Sequence, residues 1–223
     1  MDILENLEKI KTTIPENVQL IAVSKNQRLE KIMEAYDGGQ RIFGENKPQE
    51  LKEKYQLLPK DIIWHQVGHL QTNKVKLIAP FVNMIESVDS LKLLIEINKE
   101  ASKKNRVIDC LLQIDIAKEE TKFGLKLSQA KALLKDEQYQ QMQNIRICGV
   151  MGIGSITENP KQTKKEFANL KSIFNTLKEG FFKEDNNFQH ISMGMTHDYL
   201  IAIKEGSTMV RIGSGIFGVR NYF

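Results

Sequence analysis

The feature of this sequence that most restricts its fold is a series of short apolar runs, each followed by an amphipathic stretch. The runs have the length and β-branched content of buried strands, and the stretches between them carry apolar residues at helical spacing. A series of this kind predicts parallel strands joined by helices. The predicted strands are Gln19–Ser24, Arg41–Phe43, Ile62–Val67, Met84–Val88, Val107–Ile116, Ile145–Val150, Phe188–Ile191 and Thr208–Ile212.

The predicted helices alternate with these strands, and one extra helix, from Asp2 to Lys11, precedes the first of them. Eight strand-then-helix units in 223 residues, without a linker or a repeat period, predict an α/β protein. Its expected form is one TIM-type (β/α)8 barrel over residues 1–223. The alternative is an open doubly wound sheet. It is disfavoured because its common order has six strands rather than eight, and because no GxGxxG motif follows the first strand of this chain. The helices between strands are predicted at Leu29–Tyr36, after Asn46 to Leu57, Thr72–Ala79, Ser90–Lys103, Ser128–Leu134, Pro160–Leu177 and Asp198–Lys204.

Composition narrows the class of protein. No run approaches the ~18 apolar residues of a membrane span, and the acidic N-terminus lacks the basic region of a secretory signal, so a cytoplasmic protein is expected. Cys110 and Cys148 are isolated within apolar runs, which predicts reduced cysteines and no metal site. The net charge is +4, but the lysines alternate with acids, so no nucleic-acid partner is predicted.

Glycines and hydroxyl residues follow the last two predicted strands. Barrel enzymes often bind phosphate with these two loops, where glycine lets backbone N–H groups approach an anion. Tight turns between strand and helix are the alternative explanation for any one glycine–serine pair in these loops. Arg211 lies just before the second loop, with its side chain directed either inward or toward the rim. The loops read Ser192-Met193-Gly194-Met195-Thr196 and Gly213-Ser214-Gly215-Ile216-Phe217-Gly218.

Lys25 ends the first predicted strand, which reads LIAVSK. Closure of a barrel brings the first and last strands together, so Lys25 is expected beside the phosphate loops. An amine beside a phosphate site is what a Schiff-base site for a phosphorylated aldehyde requires. The residues therefore predict a site of this kind at the carboxyl ends of the strands.

Several segments, in order from the first strand to the last, together resemble the pyridoxal phosphate homeostasis protein family. They are IAVSK ending at Lys25, FGEN at Phe43–Asn46, WHQVGHLQTNK at Trp64–Lys74, SVD at Ser87–Asp89, KFG at Lys122–Gly124, SMGM at Ser192–Met195 and GSTMVRIG at Gly206–Gly213. The resemblance implies a single-domain barrel of the alanine racemase type (fold type III) that holds pyridoxal 5′-phosphate (PLP) on Lys25.

The same resemblance implies a set of cofactor-binding residues. Ser192, Gly213 and Ser214 would hold the phosphate, with Met193 in the same loop as Ser192. Arg211 would face the pyridine nitrogen and Asn46 would lie beside the cofactor. These assignments agree with the phosphate site and the neighbouring amine that were inferred from the residues alone.

Arg211 has a chemical consequence for the expected function. A guanidinium does not readily give a proton to the pyridine nitrogen, so the ring would be a weaker electron sink. The chain ends at Phe223, about eleven residues after the last strand, and no second domain is expected. With the resemblance, these points imply a PLP carrier that serves vitamin B6 homeostasis and apo PLP-dependent enzymes, with little or no turnover. A monomer is expected because no coiled-coil seam or single apolar patch is visible in the sequence. The alternatives are a weak amino acid racemase, a Schiff-base aldolase for a phosphorylated substrate and, less favoured because the lysines are dispersed, a structural or nucleic-acid-binding barrel.

The sequence departs from the family pattern at four places near these residues. Asn26-Gln27-Arg28 replaces the usual Thr-Lys-Pro, and Lys47-Pro48 replaces Tyr-Val. Glu86 replaces a common histidine before Ser-Val-Asp, and Thr196-His197-Asp198 keeps a hydroxyl for the helix cap. Trp64 and His65 are interpreted as core and rim packing, since alternation along a strand sends one inward and the other outward.

Overall fold

Eight parallel strands close into a barrel in the computed structural model, which describes residues 2–117 and 123–218. Each strand pairs with the next along the chain, and the last pairs with the first, with Ile21 opposite Arg211. The predicted (β/α)8 barrel is therefore confirmed, whereas Lys122 of the KFG segment lies outside the described residues. The strands are β1 (Gln19–Val23), β2 (Ile42–Glu45), β3 (Ile63–Gln66), β4 (Met84–Val88), β5 (Ile108–Ile114), β6 (Ile145–Gly152), β7 (His190–Ser192) and β8 (Met209–Ile212).

Helices connect the strands, and an N-terminal helix precedes β1 as predicted. The Asp2 carboxylate caps this helix by accepting from the backbone N–H groups of Leu4 and Glu5. Within the described ranges, no helix is long and apolar enough to cross a bilayer. The helices are α1 (Ile3–Thr13), α2 (Leu29–Asp37), α3 (Pro48–Leu57), α4 (Val75–Ile78), α5 (Leu91–Ser102), α6 (Leu127–Lys135), α7 (Glu137–Gln140), α8 (Pro160–Phe181), α9 (Tyr199–Lys204) and α10 (Ser214–Phe217).

Several elements differ from the predicted ones. The helix predicted over Thr72–Ala79 begins as a 3-10 turn at Thr72–Lys74, and α7 was not predicted. The strand β2 continues through Gly44 and Glu45, beyond the predicted end at Phe43. Gly44 belongs in the strand because a Cβ there would lie 2.9 Å from Ile21 Cγ2, so the glycine permits close approach of β1 and β2.

The core has two parts, as the alternation of side chains along barrel strands requires. The larger part lies between the strands and the helices and contains Phe43 and Trp64, both fully buried. Burial raises the pKa of the Cys110 thiol well above its usual range and raises that of Cys148 to about 12, and both cysteines are free and buried. The second part fills the barrel interior with Ile21, Met84, Leu111, Cys148, Met151 and Met209.

Gly149 is a position in β6 where the barrel has no room for a side chain. A Cβ there would lie 1.9 Å from the carbonyl oxygen of His190 on β7, and the residue has φ +152°. We expect Gly149→Ala to lower the free energy of unfolding by roughly 1–3 kcal/mol or more, because β6 and β7 must separate. Urea unfolding measures this. Gly180→Ala is the control: no atom lies within 4 Å of a Cβ there, so it should not destabilise the protein. Equal stability of wild type and Gly149→Ala would contradict the prediction.

Candidate functional site

A cavity of about 190 Å³ opens among the loops that follow the carboxyl ends of the strands. This is the face on which barrel enzymes place their sites. Two cationic side chains, Lys25 and Arg211, share the cavity with apolar walls and hydroxyl groups. The lining residues are Val23, Lys25, Asn46, Val67, Ile153, Met195, Thr196, His197, Arg211, Gly213 and Ser214.

Lys25 enters the cavity two residues after β1 and is half-buried. Hydrogen bonds to Ser24 and Asn26, the residues before and after Lys25, hold the turn that carries it. Asn26 lies in the left-handed region at φ +58°, which asparagine tolerates better than a β-branched residue, and its backbone N–H donates to Glu50 at 2.7 Å. The Asn26-Gln27-Arg28 departure from the family pattern therefore suits the turn that this chain makes.

A buried cluster of charges lies beneath the Lys25 turn. The Lys54 ammonium, on a side chain 5% exposed, donates to the Ser24 carbonyl oxygen at 2.7 Å, to Glu45 at 2.6 Å and to Glu50 at 2.7 Å. Burial raises the pKa of Glu45, and the charge of Lys54 opposes that rise. Since Ser24 and Asn26 flank Lys25, this cluster sets the position of the lysine backbone.

Asn46, the residue that the resemblance implied beside the cofactor, follows β2 directly and lines the cavity. The Gln66 side-chain amide donates to the Asn46 carbonyl oxygen at 2.8 Å and to that of Gly68 at 2.9 Å. A Cβ at Gly68 would lie 2.7 Å from Asn46 Cα, so only glycine lets the two loops approach this closely. Strand β3 therefore holds Asn46 at the cavity.

The loops after β7 and β8 meet at one side of the cavity. The Ser214 hydroxyl donates to Thr196 Oγ1 at 3.2 Å, and the Gly215 backbone N–H donates to the same oxygen at 3.2 Å. Thr196 therefore accepts two hydrogen bonds, which leaves its own hydroxyl proton for a ligand. Gly213 lies against β1, where a Cβ would be 3.1 Å from the Val23 carbonyl oxygen.

Two of the residues expected in the site lie elsewhere. Ser192 is fully buried, and its hydroxyl donates to Glu86 Oε2 at 2.6 Å. Met193 is fully buried in the core between strands and helices. The alternation of β7 points Ser192 into the barrel interior, where Arg211 Nη1 donates to its hydroxyl, and sends Met193 to the opposite side of the sheet. The hydroxyl groups that the cavity wall presents are those of Thr196 and Ser214.

Arg211 points into the barrel interior, which settles the choice between inward and rimward left by the sequence. Its side chain is 5% exposed and lines the floor of the cavity. Nη1 donates to Ser192 Oγ at 2.5 Å, and Nη2 donates to the Gly152 carbonyl oxygen at 2.9 Å. Burial lowers the pKa of Arg211, against the opposing charge of Glu86, but a guanidinium stays protonated in proteins.

Glu86 and His65 complete the network that holds Arg211, and the sequence interpretation missed both of them. Glu86 is fully buried, and its Oε1 accepts a hydrogen bond from His65 Nδ1 at 2.7 Å. The interpretation of His65 as rim packing is wrong, because the ring lies in the interior against this carboxylate. One signal could have been used: a glutamate inside the apolar strand Met84–Val88 requires a buried partner.

Burial alone raises the pKa of Glu86, but the hydrogen bond and charge of His65, the charge of Arg211 and the Ser192 hydroxyl hold it below the usual glutamate value of 4.5. A carboxyl whose pKa is lower in the folded state than in the unfolded state stabilises the fold at pH values above its unfolded-state pKa. This contribution is lost as the pH falls through the folded-state pKa.

We therefore expect wild type to be more stable than Glu86→Gln at pH 7, with the difference shrinking once the pH falls below about 4.3. Paired urea titrations at several pH values measure this difference. Taking the difference cancels the opposite contribution of Glu45, whose pKa is raised. A gap that stays constant from neutral to strongly acidic pH would contradict the prediction.

Comparison with known proteins places this geometry in a family. The family model for the alanine racemase N-terminal domain matches residues 2–221. A pyridoxal phosphate homeostasis protein of Aquifex aeolicus is 38% identical over 205 residues, covering 92% of this chain and 88% of that protein. One from Schizosaccharomyces pombe is 40% identical over 207 residues, with 92% and 85% covered.

A solved structure gives the same result in three dimensions. PipY of Synechococcus elongatus PCC7942, determined with PLP bound, is 34% identical and superimposes with a TM-score of 0.87. The match covers 97% of this chain and 100% of PipY. From full-length sequence identity above 30% and from the shared barrel, this chain belongs to the pyridoxal phosphate homeostasis protein family, whose barrel is of the alanine racemase N-terminal type.

Proposed function

We propose that this protein holds PLP as a Schiff base on Lys25 and takes part in intracellular PLP homeostasis and delivery, with little or no turnover. The observation that carries the proposal is that one cavity combines Lys25, Arg211 and the hydroxyl pair of Thr196 and Ser214. The names of the relatives and the PLP in PipY support the choice of ligand.

The lining residues fit the functional groups of PLP. The Lys25 amine suits the aldehyde, since the two form a C=N bond with release of one water. Thr196 offers its hydroxyl proton to the phosphate, and the Ser214 hydroxyl, which donates to Thr196, can turn to donate to the phosphate instead. Val23, Val67 and Ile153 offer apolar contact to the ring faces. When bound, PLP supplies a reversible aldehyde and an electron-withdrawing ring.

Low turnover is proposed from the chemistry of Arg211. The Glu86 and Ser192 contacts hold its guanidinium at the cavity floor, where it would meet the ring of bound PLP. A guanidinium does not supply the ring with a proton, so electron withdrawal by the ring is weak. The residues of this chain then bind and orient the cofactor without promoting carbanion chemistry.

A weak amino acid racemase is the second candidate, and one observation favours it. His197 lines the rim of the cavity, so that a second group able to carry a proton lies near Lys25. Racemisation needs two such groups on opposite faces of the substrate. The carrier is preferred because His197 is exposed, which leaves it in contact with water rather than oriented toward one atom.

The experiment that tests the proposal begins with purified protein to which PLP is added. We expect a yellow band in the visible spectrum, and borohydride reduction should fix the cofactor to the peptide that contains Lys25. Incubation of the loaded protein with L-alanine should give no D-alanine, and mixing with an apo PLP-dependent enzyme should restore its activity. A protein that takes up no PLP would refute the proposal, and steady formation of D-alanine would favour the racemase. The monomeric state and the apo-enzyme partners stay predictions.

A further inference from the structure

A continuous polar network crosses the barrel interior directly below the cavity. It runs from His65 on β3 to Glu86 on β4, then to Ser192 on β7 and to Arg211 on β8. All four side chains are buried, and Glu86 and Ser192 are fully so. The network therefore joins opposite walls of the barrel, and only Arg211 among its members lines the cavity.

Each bond in this network restricts the next group. His65 holds one oxygen of Glu86, so the other oxygen is directed at Ser192. The Ser192 hydroxyl donates a hydrogen bond to the carboxylate, so its lone pairs face Arg211 and accept a hydrogen bond from Nη1. With Nη2 on the Gly152 carbonyl oxygen, two nitrogens of the guanidinium are held and its plane is fixed.

The negative charge of Glu86 balances the positive charge of Arg211. Glu86 Oε2 lies 3.8 Å from Arg211 Nη1, which is close enough for an ion pair in a buried site. A buried arginine without a carboxylate would be costly, and a hydroxyl alone does not compensate for its charge. Below this level the interior is filled with apolar residues such as Met84 and Met209, so the charged pair is confined to the cavity floor.

We propose that Glu86 is a positioning residue for PLP: acting through Ser192, it fixes the guanidinium of Arg211 at the floor of the cavity and balances its charge there. This inference rests on the proposed function. It assigns to Glu86 and Ser192 a role behind the cofactor rather than against its phosphate.

The test compares Glu86→Gln and Ser192→Ala with wild type and with Glu100→Gln. Glu100 is a matched control because it is a buried glutamate on α5, paired with Lys103 and absent from the cavity wall. For each protein, PLP is titrated and the visible band is followed against pH, while urea unfolding without PLP gives the stability of the fold.

We expect Glu86→Gln to bind PLP covalently on Lys25 but about tenfold more weakly. Loss of the carboxylate makes the cavity floor more positive, so the pH midpoint of the yellow band should fall by about one unit. The other charged or titratable groups near Glu86 are His65, Arg211 and His190, and none of them is changed. Ser192→Ala should weaken binding in the same direction, because it removes the bridge but keeps the charge.

Each outcome separates the inference from the proposed function. If wild type and Glu100→Gln bind PLP and both test variants match them in affinity and pH midpoint, the inference is wrong and the proposed function stands. If a variant loses stability without PLP but keeps the wild-type midpoint, Glu86 is only structural, which also overturns the inference. If wild type takes up no PLP, both fail. Should Glu86→Gln not fold, Ser192→Ala decides the question by its affinity.

Discussion

Lys25→Ala is expected to abolish covalent retention of PLP and to weaken its binding at least ~100-fold, equivalent to about 2.7 kcal/mol. The C=N bond requires a primary amine, and the other cation of the cavity wall, the guanidinium of Arg211, does not become a neutral nucleophile. What remains after the substitution is contact of the phosphate with the loops around Thr196 and Ser214 and apolar contact with the ring. The variant should therefore be colourless after gel filtration.

Two variants make this measurement specific. Lys25→Arg keeps a positive charge but lacks a reactive amine, so it should lose the yellow band and bind PLP more tightly than Lys25→Ala does. Lys47→Ala removes an exposed lysine next to Asn46 and should resemble wild type. Equilibrium dialysis gives the affinities, and borohydride reduction followed by mass spectrometry gives the site of attachment. Retention of a reducible adduct by Lys25→Ala would exclude Lys25 as the attachment site.

Lys54→Met is expected to lower the free energy of unfolding by roughly 3–5 kcal/mol, because it leaves a buried carboxylate without its counter-charge. Glu45 is fully buried, and its Oε2 already has no hydrogen-bond partner among the described residues. The loss also frees the Ser24 carbonyl oxygen and one contact of Glu50. Since both groups hold the Lys25 turn, PLP should also bind more weakly to the folded variant.

Urea unfolding measures the loss in Lys54→Met, with Lys52→Met as the matched control on the same helix. Lys52 is exposed, so its replacement should change stability by no more than about 0.5 kcal/mol. Adding Glu45→Gln to Lys54→Met removes the unpaired charge and should restore part of the stability. If the two single lysine variants are equally stable, the buried cluster does not have the role assigned to it.

The sequence was sufficient for the order of elements and for the two strands, the first and the last, whose carboxyl ends meet at the site. Strand and helix periods are local, so each unit is visible in a window of a few residues, and right-handed strand-helix-strand connections leave few topologies for eight such units. Closure then required β1 to pair with β8. This is why Lys25 and the loop after Arg211 could be placed side by side before their contacts were known.

The same local logic does not reach contacts between residues that are far apart in the chain. Ser192 was expected at the phosphate from its glycine-containing loop and from the family resemblance, and only the structure shows that its hydroxyl donates to Glu86, 106 residues earlier in the chain. Lys54 is one of the lysines that alternate with acids along the predicted helices, a pattern typical of a solvated face, but it donates to the Ser24 carbonyl oxygen, 30 residues away, in a buried site. Neither partner is visible in a sequence window.

The amino-acid sequence by itself determined a closed barrel with a lysine beside its last strand, because alternation, turn residues and chain closure act through neighbours along the chain or along the sheet. Only the tertiary structure decided which buried charges meet. Within a barrel, the direction of each inward side chain depends on residues from strands on the far wall. The pairing of Glu86 with Arg211 follows from that packing across the interior. The contacts of Lys54 with Ser24 and Glu45 instead follow from the packing of α3 against β1 and β2, because a buried charge requires a partner.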